Sequence, residues 1–257
     1  MISKLIKLPI FKRLIPSLSI RILKLLRKNR GYFKVNDIKM FLDFLDPIDR
    51  KIILNQEFEN SEINFLIKQI KENNINYFLD VGANCGYYSI LISKKISKIK
   101  IFAFEPNKEA YIKFKKTLKK NPNIAKKINL KEFGLSNKSK KLKMQSMVKY
   151  GYSQTGGTSV IKDIKYKNFN TFFANFQIGD EFIKLKNQTI AIKIDVEGHE
   201  INVLEGLKNI LQRNKIILQI EIYKKNFKIV NDLILSFGYR PIFKVKERSN
   251  YFYTNIK

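Results

Sequence analysis

The chain has a single cysteine, Cys85, and a single histidine, His199, among its 257 residues. One cysteine excludes an intrachain disulfide and points to a reducing, intracellular setting. With one Cys and one His there is no zinc-ligand spacing either. No window approaches the roughly 18 apolar residues needed to span a bilayer, and no internal repeat is evident. Acids are scarce, 22 against 50 Lys and Arg, for a formal charge of +28. Such a field favours polyanionic partners: nucleic acid, anionic lipid or an anionic glycan. The lysines are nevertheless scattered along the whole chain among abundant Ile and Asn. That pattern reads first as coding bias, with solvated lysines on helix faces. An apolar fraction of 44% and an aromatic fraction of 12% suit a globular chain with one substantial core.

The first 36 residues hold ten Lys or Arg and no acid, interleaved with Leu5, Ile6, Leu8, Phe11, Leu14, Ile15, Leu18, Ile22, Leu25 and Leu26. Pro9, Pro16 and the lysines interrupt any signal-peptide core, and no small-residue cleavage site follows. Residues 1–60 read as a basic, helical and irregular extension with a turn at Asp46-Pro47. Its apolar stripe is expected to pack on the main domain, with peripheral contact to an anionic membrane through residues 1–36 as the second reading. The expected setting is the cytoplasm, including the inner membrane face.

From residue 61 the pattern alternates. A helix capped at Ser61 ends near Asn73-Asn74, and strands are expected at Tyr77–Val81, Ile99–Phe104, Ile128–Phe133, Thr189–Ile194 and Lys215–Ile222. Helices are expected at Tyr87–Ile96, Lys108–Lys120, Glu200–Leu211 and Asn226–Phe237. Leu135–Met147 suggests a hairpin or β-arm, and residues 149–189 look irregular, as a functional loop or insertion would. Tyr239–Val245 and Tyr251–Asn255 form a terminal antiparallel pair. The fold class is α/β: a mostly parallel, doubly wound sheet with an antiparallel C-terminal pair and a helical N-terminal extension.

Two clusters carry chemistry. The first is Phe78-Leu-Asp-Val-Gly-Ala-Asn-Cys-Gly-Tyr-Tyr-Ser89, followed by Glu105 after the next apolar run. Gly82 and Gly86 permit a tight turn and a close ligand approach at a helix start. The dinucleotide fingerprint fails, because Asn84 and Tyr87 stand where its second and third glycines belong. Asp80 at the strand end favours a ligand with an ammonium or sulfonium group, as in S-adenosylmethionine. Glu105, 25 residues on, suits bidentate contact with ribose hydroxyls.

The second cluster is Ile192-Lys-Ile-Asp-Val-Glu-Gly-His-Glu-Ile201. Asp195 and Glu197 alternate in phase and are expected to face one side. His199 is the base candidate by its near-neutral pKa, although a histidine at a helix start is often only an exposed polar residue. Asp195, Glu197, His199, Glu200 and Glu221 could offer oxygen ligands and one imidazole to a hard cation, but the sequence assigns no metal.

With these motifs, and with Phe102-Ala-Phe-Glu-Pro-Asn107, Gly134-Leu-Ser-Asn137, Gly156-Gly-Thr-Ser159, Val203-Leu-Glu-Gly206 and Glu221, the chain resembles the FkbM family of S-adenosylmethionine-dependent methyltransferases over roughly residues 60–222. The resemblance implies a Rossmann-like methyltransferase domain at 61–257, with S-adenosylmethionine over the glycine turn. Asp80, Gly82, Asn84 and Gly86 would line its methionine side and Glu105 its ribose. Asp195 would face cofactor and acceptor, and Asp195, Glu197 and His199 are the catalytic candidates. The implied acceptor is a hydroxyl on a sugar, a glycan or another small natural product. Two departures stand out. Ile178-Gly-Asp-Glu181 replaces a Leu-Asp-Asp element, which weakens packing at Gly179, and the family does not support His199 as a general base. An RNA or protein methyltransferase is the alternative, weakened by Asp195-Val-Glu-Gly where amino-group methyltransferases carry Asn/Asp-Pro-Pro-aromatic. A non-catalytic membrane- or glycan-associated scaffold is the third reading.

Overall fold

The computed structural model describes residues 29–54, 58–149, 152–161, 168–245 and 248–257. In chain order the elements are β1 Arg30–Val35, β2 Ile38–Asp43, α1 Pro47–Ile53, α2 Asn60–Glu72, β3 Tyr77–Val81, α3 Tyr87–Lys95, β4 Lys100–Phe104, α4 Lys108–Lys120, α5 Pro122–Ala125, β5 Ile128–Lys131, β6 Gly134–Ser136, β7 Lys140–Lys149, β8 Tyr152–Ser153, β9 Ser159–Val160 and β10 Phe169–Ile178. There follow α6 Gly179–Phe182, β11 Thr189–Ile194, α7 Glu200–Gly206, α8 Lys208–Arg213, β12 Lys215–Glu221, α9 Phe227–Ser236, β13 Arg240–Lys244 and β14 Asn250–Thr254.

Seven strands form the main sheet in the order β13-β14-β12-β11-β3-β4-β5. The run from β12 to β5 is parallel, and β14 pairs antiparallel with both β12 and β13. The short apolar runs Phe78-Leu-Asp-Val and Ile190-Ala-Ile-Lys-Ile are buried on both sides, as central parallel strands must be. One hydrophobic cluster packs α2 and α3 on one face through Leu66, Ile70, Ile90 and Phe78. A second packs α7, α8 and α9 on the other through Leu204, Leu207, Val230 and Ile192. This is the Rossmann-like methyltransferase fold, with the sheet reversing direction of growth between β3 and β11. Ligands collect at such a point, beyond the carboxyl ends of the strands.

Several expectations are corrected. The helical reading of residues 1–60 fails over 30–43, where β1 and β2 form a hairpin turned by Asn36 and Asp37, both at positive φ (47° and 63°). Val35, Ile38, Met40 and Leu42 of that hairpin share the cluster of α2 and α3. Residues 1–28 lie outside the described ones, and with them nearly all of the segment expected to touch membrane or pack on the domain. Ser61 is not a cap: α2 begins behind Glu59, at φ 50°, with no side-chain cap bond. Leu135–Met147 is not a simple hairpin, because β6 pairs parallel with β10 while β7 pairs antiparallel with it. The irregular reading of 149–189 missed β10 itself, whose inward Phe172, Ala174 and Phe176 are masked in sequence by intervening Asn and Phe. The helix expected at Glu200–Leu211 is divided at Leu207. Among the described residues no helix is long and apolar enough to cross a membrane.

At Gly179 no packing is lost. A side chain there would meet Leu207 Cδ2 at 2.5 Å, so Leu207 already fills the space. Asp180 next to it accepts from Asn209 N–H (2.8 Å) and Ile210 N–H (2.9 Å) and so caps α8.

Candidate active site

Residue parity along the parallel strands stacks polar side chains in two tiers on one face of the sheet. In the lower tier Lys193 lies in register with Asp80 on one side and Gln219 on the other, and all three are buried. Two residues further along each strand the upper tier holds Asp195 and Glu221. Lys193 Nζ sits 2.9 Å from Asp195 Oδ2 and 4.8 Å from the centre of the Tyr88 ring. Burial opposes the Lys193 charge, but Asp195, Asp80 and Glu59 more than offset it and raise its pKa.

Above this tier, Asp195, Glu197 and Glu221 bring carboxylate oxygens within 4.8 Å of one another. Asp195 and Glu197 do converge, but not as an extended pair. Glu197 adopts φ 52° and Gly198 φ 99°, so a left-handed turn swings the second carboxylate back. Burial works against the Asp195 charge; Lys193 and the hydrogen bonds from Glu221 and Lys193 outweigh it and leave Asp195 below the usual carboxylate range. Glu221 is pushed up to about 9 by burial and by the Asp195 charge, and it donates its proton to Asp195. Glu197 is raised to about 7 by burial, then by Asp195 and Glu200, against a hydrogen bond from Gly157 N–H. The triplet therefore carries one firm negative charge, one proton donor and one group poised at neutrality. It could also ligate a hard cation.

Asp195 and Glu197 border a cleft with about 620 Å³ of unfilled space, its solvent mouth included, at the ends of β3, β4 and β11. Gly82, Asn84, Glu105, Asp195, Glu197 and His199 line it. Glu105 accepts from Asn84 N–H and Asn107 N–H, each at 2.7 Å. Burial raises its pKa to about 7 despite those two bonds. Asn84 Oδ1 is shielded from solvent without a hydrogen-bond partner, which leaves an acceptor beside the cleft. That orphan and the Glu105 carboxylate fit the ammonium and ribose ends of S-adenosylmethionine.

Two expected cofactor contacts are placed elsewhere. Asp80 is fully buried beneath the turn, where Oδ2 accepts from Ser89 Oγ (2.6 Å) and Ser89 N–H (3.2 Å), anchoring the first turn of α3. Gly86 does not border the cleft, and a Cβ there would lie 2.3 Å from the Phe114 ring. Its lack of a side chain makes room for Phe114 of α4 against the turn. Gly82 serves both ends: it lines the cleft, and a Cβ would lie 1.9 Å from the Asp195 carbonyl oxygen. His199 is not an exposed helix-start residue. It is buried, with Nε2 at 2.9 Å from Ser136 Oγ and its ring edge-on to Phe176.

Lys193 is not among the residues the sequence singles out for the site, and Glu221 is considered there only as an oxygen ligand to a cation and as a motif residue. A lysine inside an otherwise apolar central strand, two positions before Asp195, was the available signal. For Asp46, Lys113 and Thr155, which meet beside the cleft, no sequence signal exists, because they come from three distant segments.

Residues 80–241 match the family model of the methyltransferase FkbM domain. The hexuronic acid methyltransferase AglP of Haloferax volcanii is 29% identical over 169 residues, 63% of this chain and 62% of that protein, so the chain spans under two thirds of its relative. Among solved structures, a precorrin-6y C5,15-methyltransferase from Geobacter metallireducens aligns at 14% identity and TM-score 0.42, covering 76% of this chain and 86% of that one. A human methyltransferase 10 domain containing protein aligns at 12% and TM-score 0.45, covering 93% and 95%. Likenesses so distant carry no argument; strand order and the family match do. The strand order gives the fold, and the family match says that this chain belongs to the FkbM family of S-adenosylmethionine-dependent methyltransferases.

Proposed function

We propose that the chain methylates a hydroxyl group of a sugar or glycan, using S-adenosylmethionine. The carrying observation is the cleft at the ends of β3, β4 and β11, which Asn84, Glu105, Asp195 and Glu197 line, with Glu221 beside the last two. Asn84 and Glu105 would hold the cofactor, which supplies a methyl group on a cationic sulfur. Asp195, fixed by Lys193 and Glu221, keeps a negative charge near that cation and orients the acceptor. Its lowered pKa makes it a weak base. Glu197, with a pKa of about 7, has the basicity to accept the hydroxyl proton as the O–C bond would form and the S–CH3 bond break, with S-adenosylhomocysteine as the leaving thioether. The reading of the acceptor as a sugar draws on the hexuronic acid named for the Haloferax volcanii relative.

The methyltransferase domain is proposed to span 61–257, and the functional unit takes in the preceding segment, whose hairpin shares the core and whose Ile48 completes the cleft wall. The test is transfer of labelled methyl from S-adenosylmethionine across a panel of glycans, with tRNA and a peptide mixture alongside. Label on a glycan lost in Glu197→Gln supports the reading; label on RNA or peptide alone overturns it. Absence of S-adenosylmethionine binding by calorimetry would favour a scaffold.

A further inference from the structure

One wall of the cleft is the loop Thr155-Gly-Gly-Thr158, which closes on residues from far away in sequence. Asp46 Oδ2 accepts from both Thr155 N–H and Thr155 Oγ1, each at 2.8 Å. Lys113 Nζ donates to the same hydroxyl at 2.9 Å and to Asp49 Oδ2 at 2.6 Å. All four side chains are buried. Asp46 is itself fixed, because Oδ1 caps α1 by accepting from Ile48 N–H at 3.0 Å. The Ile48 side chain then fills the space in which Gly156 has no Cβ.

The far end of the loop touches both halves of the site. Thr158 Oγ1 accepts from Asn107 Nδ2 at 3.0 Å, and Asn107 N–H binds Glu105 Oε1 at 2.7 Å. Gly157 N–H donates to Glu197. The loop therefore ties the Glu105 carboxylate to the Glu197 carboxylate across the cleft. Its fastening point, Asp46, lies outside the 80–241 region that matches the family.

We propose that Asp46 and Lys113 are positioning residues: acting through Thr155, they hold the 155–158 loop across the cleft and so set the geometry of Glu105 and Glu197. This rests on the S-adenosylmethionine reading above. Leaving Asp46 and Lys113 without the Thr155 hydroxyl removes bonds to charged groups, and the loop loses its register.

The test uses S-adenosylhomocysteine binding by calorimetry to the full chain, wild type against Thr155→Val and Thr155→Ser. Thr155→Val is expected to weaken binding about tenfold, the value of one hydrogen bond to a charged group, and Thr155→Ser to restore it. In Thr155→Val the pH midpoint of S-adenosylmethionine binding is also expected to rise, since Glu197 loses its Gly157 donor. A merely structural role would lower the melting temperature without moving that midpoint. If Thr155→Val does not fold, the neutral double variant Lys113→Met with Asp49→Asn carries the same expectation. Affinity and midpoint equal to wild type in the variants would overturn this inference alone. Failure of the wild type to bind S-adenosylhomocysteine would remove the cofactor reading first, and this inference with it.

Discussion

Lys193 Nζ lies 2.9 Å from Asp195 Oδ2 while its backbone stands in register with Asp80, so one buried ammonium serves a carboxylate in each tier of the site. Burial raises the pKa of Asp80, and Lys193 with the Ser89 bonds works against that rise. The lysine thus allows two carboxylates to sit near the cleft at neutral pH.

Removing that charge is expected to be costly. Lys193→Met should destabilise the fold by about 3–5 kcal/mol near pH 7, the usual effect of breaking a buried pair from one side. In the variant Asp80 and Asp195 would titrate above their unfolded values. A raised folded pKa gives stability that is present at low pH and lost as pH rises through it. The gap between variant and wild type should therefore narrow toward pH 5 in urea melts. A gap independent of pH would remove the electrostatic account.

Glu105 and Glu197 both have pKa values of about 7, raised chiefly by burial; Asp80 adds to the first, Asp195 and Glu200 to the second, and Lys193 opposes both. A cationic ligand lowers both values. Below pH 7 binding must expel protons, so affinity for S-adenosylmethionine is expected to climb from pH 6 to 8 and then level. S-adenosylhomocysteine, which lacks the sulfonium charge, should respond less steeply. Calorimetry in two buffers of different protonation enthalpy would detect the released protons; a flat profile for both ligands would contradict the assignment.

Much of this was legible in the chain. Tyr77–Val81, Lys108–Lys120 and Thr189–Ile194 stand where the apolar runs and the Asn121-Pro122 stop placed them. Glu105, Asp195 and Glu197 border one cleft, as their positions at strand ends implied. Asp80 was misplaced because a strand-end acid can face either ligand or helix, and only the position of Ser89 decides. At Gly86 the sequence is ambiguous for a related reason: φ 83° demands glycine whether the neighbour is a ligand or the Phe114 ring. The loop fastening was invisible because Asp46, Lys113 and Thr155 meet only after three segments fold together.

His199 is expected to matter more for packing than for proton transfer. Its Nε2 is engaged with Ser136 Oγ at 2.9 Å, and the ring is wedged against Phe176. His199→Ala should cost about 1–3 kcal/mol through a cavity and the loss of a partner for the buried Ser136 hydroxyl. Methyl transfer measured on the folded fraction should persist at a reduced rate. Complete loss of turnover in a variant with an unchanged melting temperature would return His199 to the mechanism.

Gly82 and Gly86 separate the two uses of a glycine turn. Both have positive φ, 82° and 83°, so alanine at either is strained. Gly86→Ala also drives a methyl into the Phe114 ring, and overpacking with strain should cost about 2–4 kcal/mol. Because Gly86 does not border the cleft, the folded fraction should bind S-adenosylmethionine with affinity near that of wild type. At Gly82 the clash is with the Asp195 carbonyl, which is backbone and cannot rotate aside. Alanine there must push the end of β11 away from β3, and Asp195 moves with it. Gly82→Ala is therefore expected to lose affinity at least tenfold beyond any loss of folded protein, a difference of about 1.4 kcal/mol in binding. Chemical denaturation and calorimetry on the two variants measure both quantities. Equal loss of affinity in both would mean that the turn acts as a whole and that Gly86 is closer to the ligand than its position behind Phe114 allows.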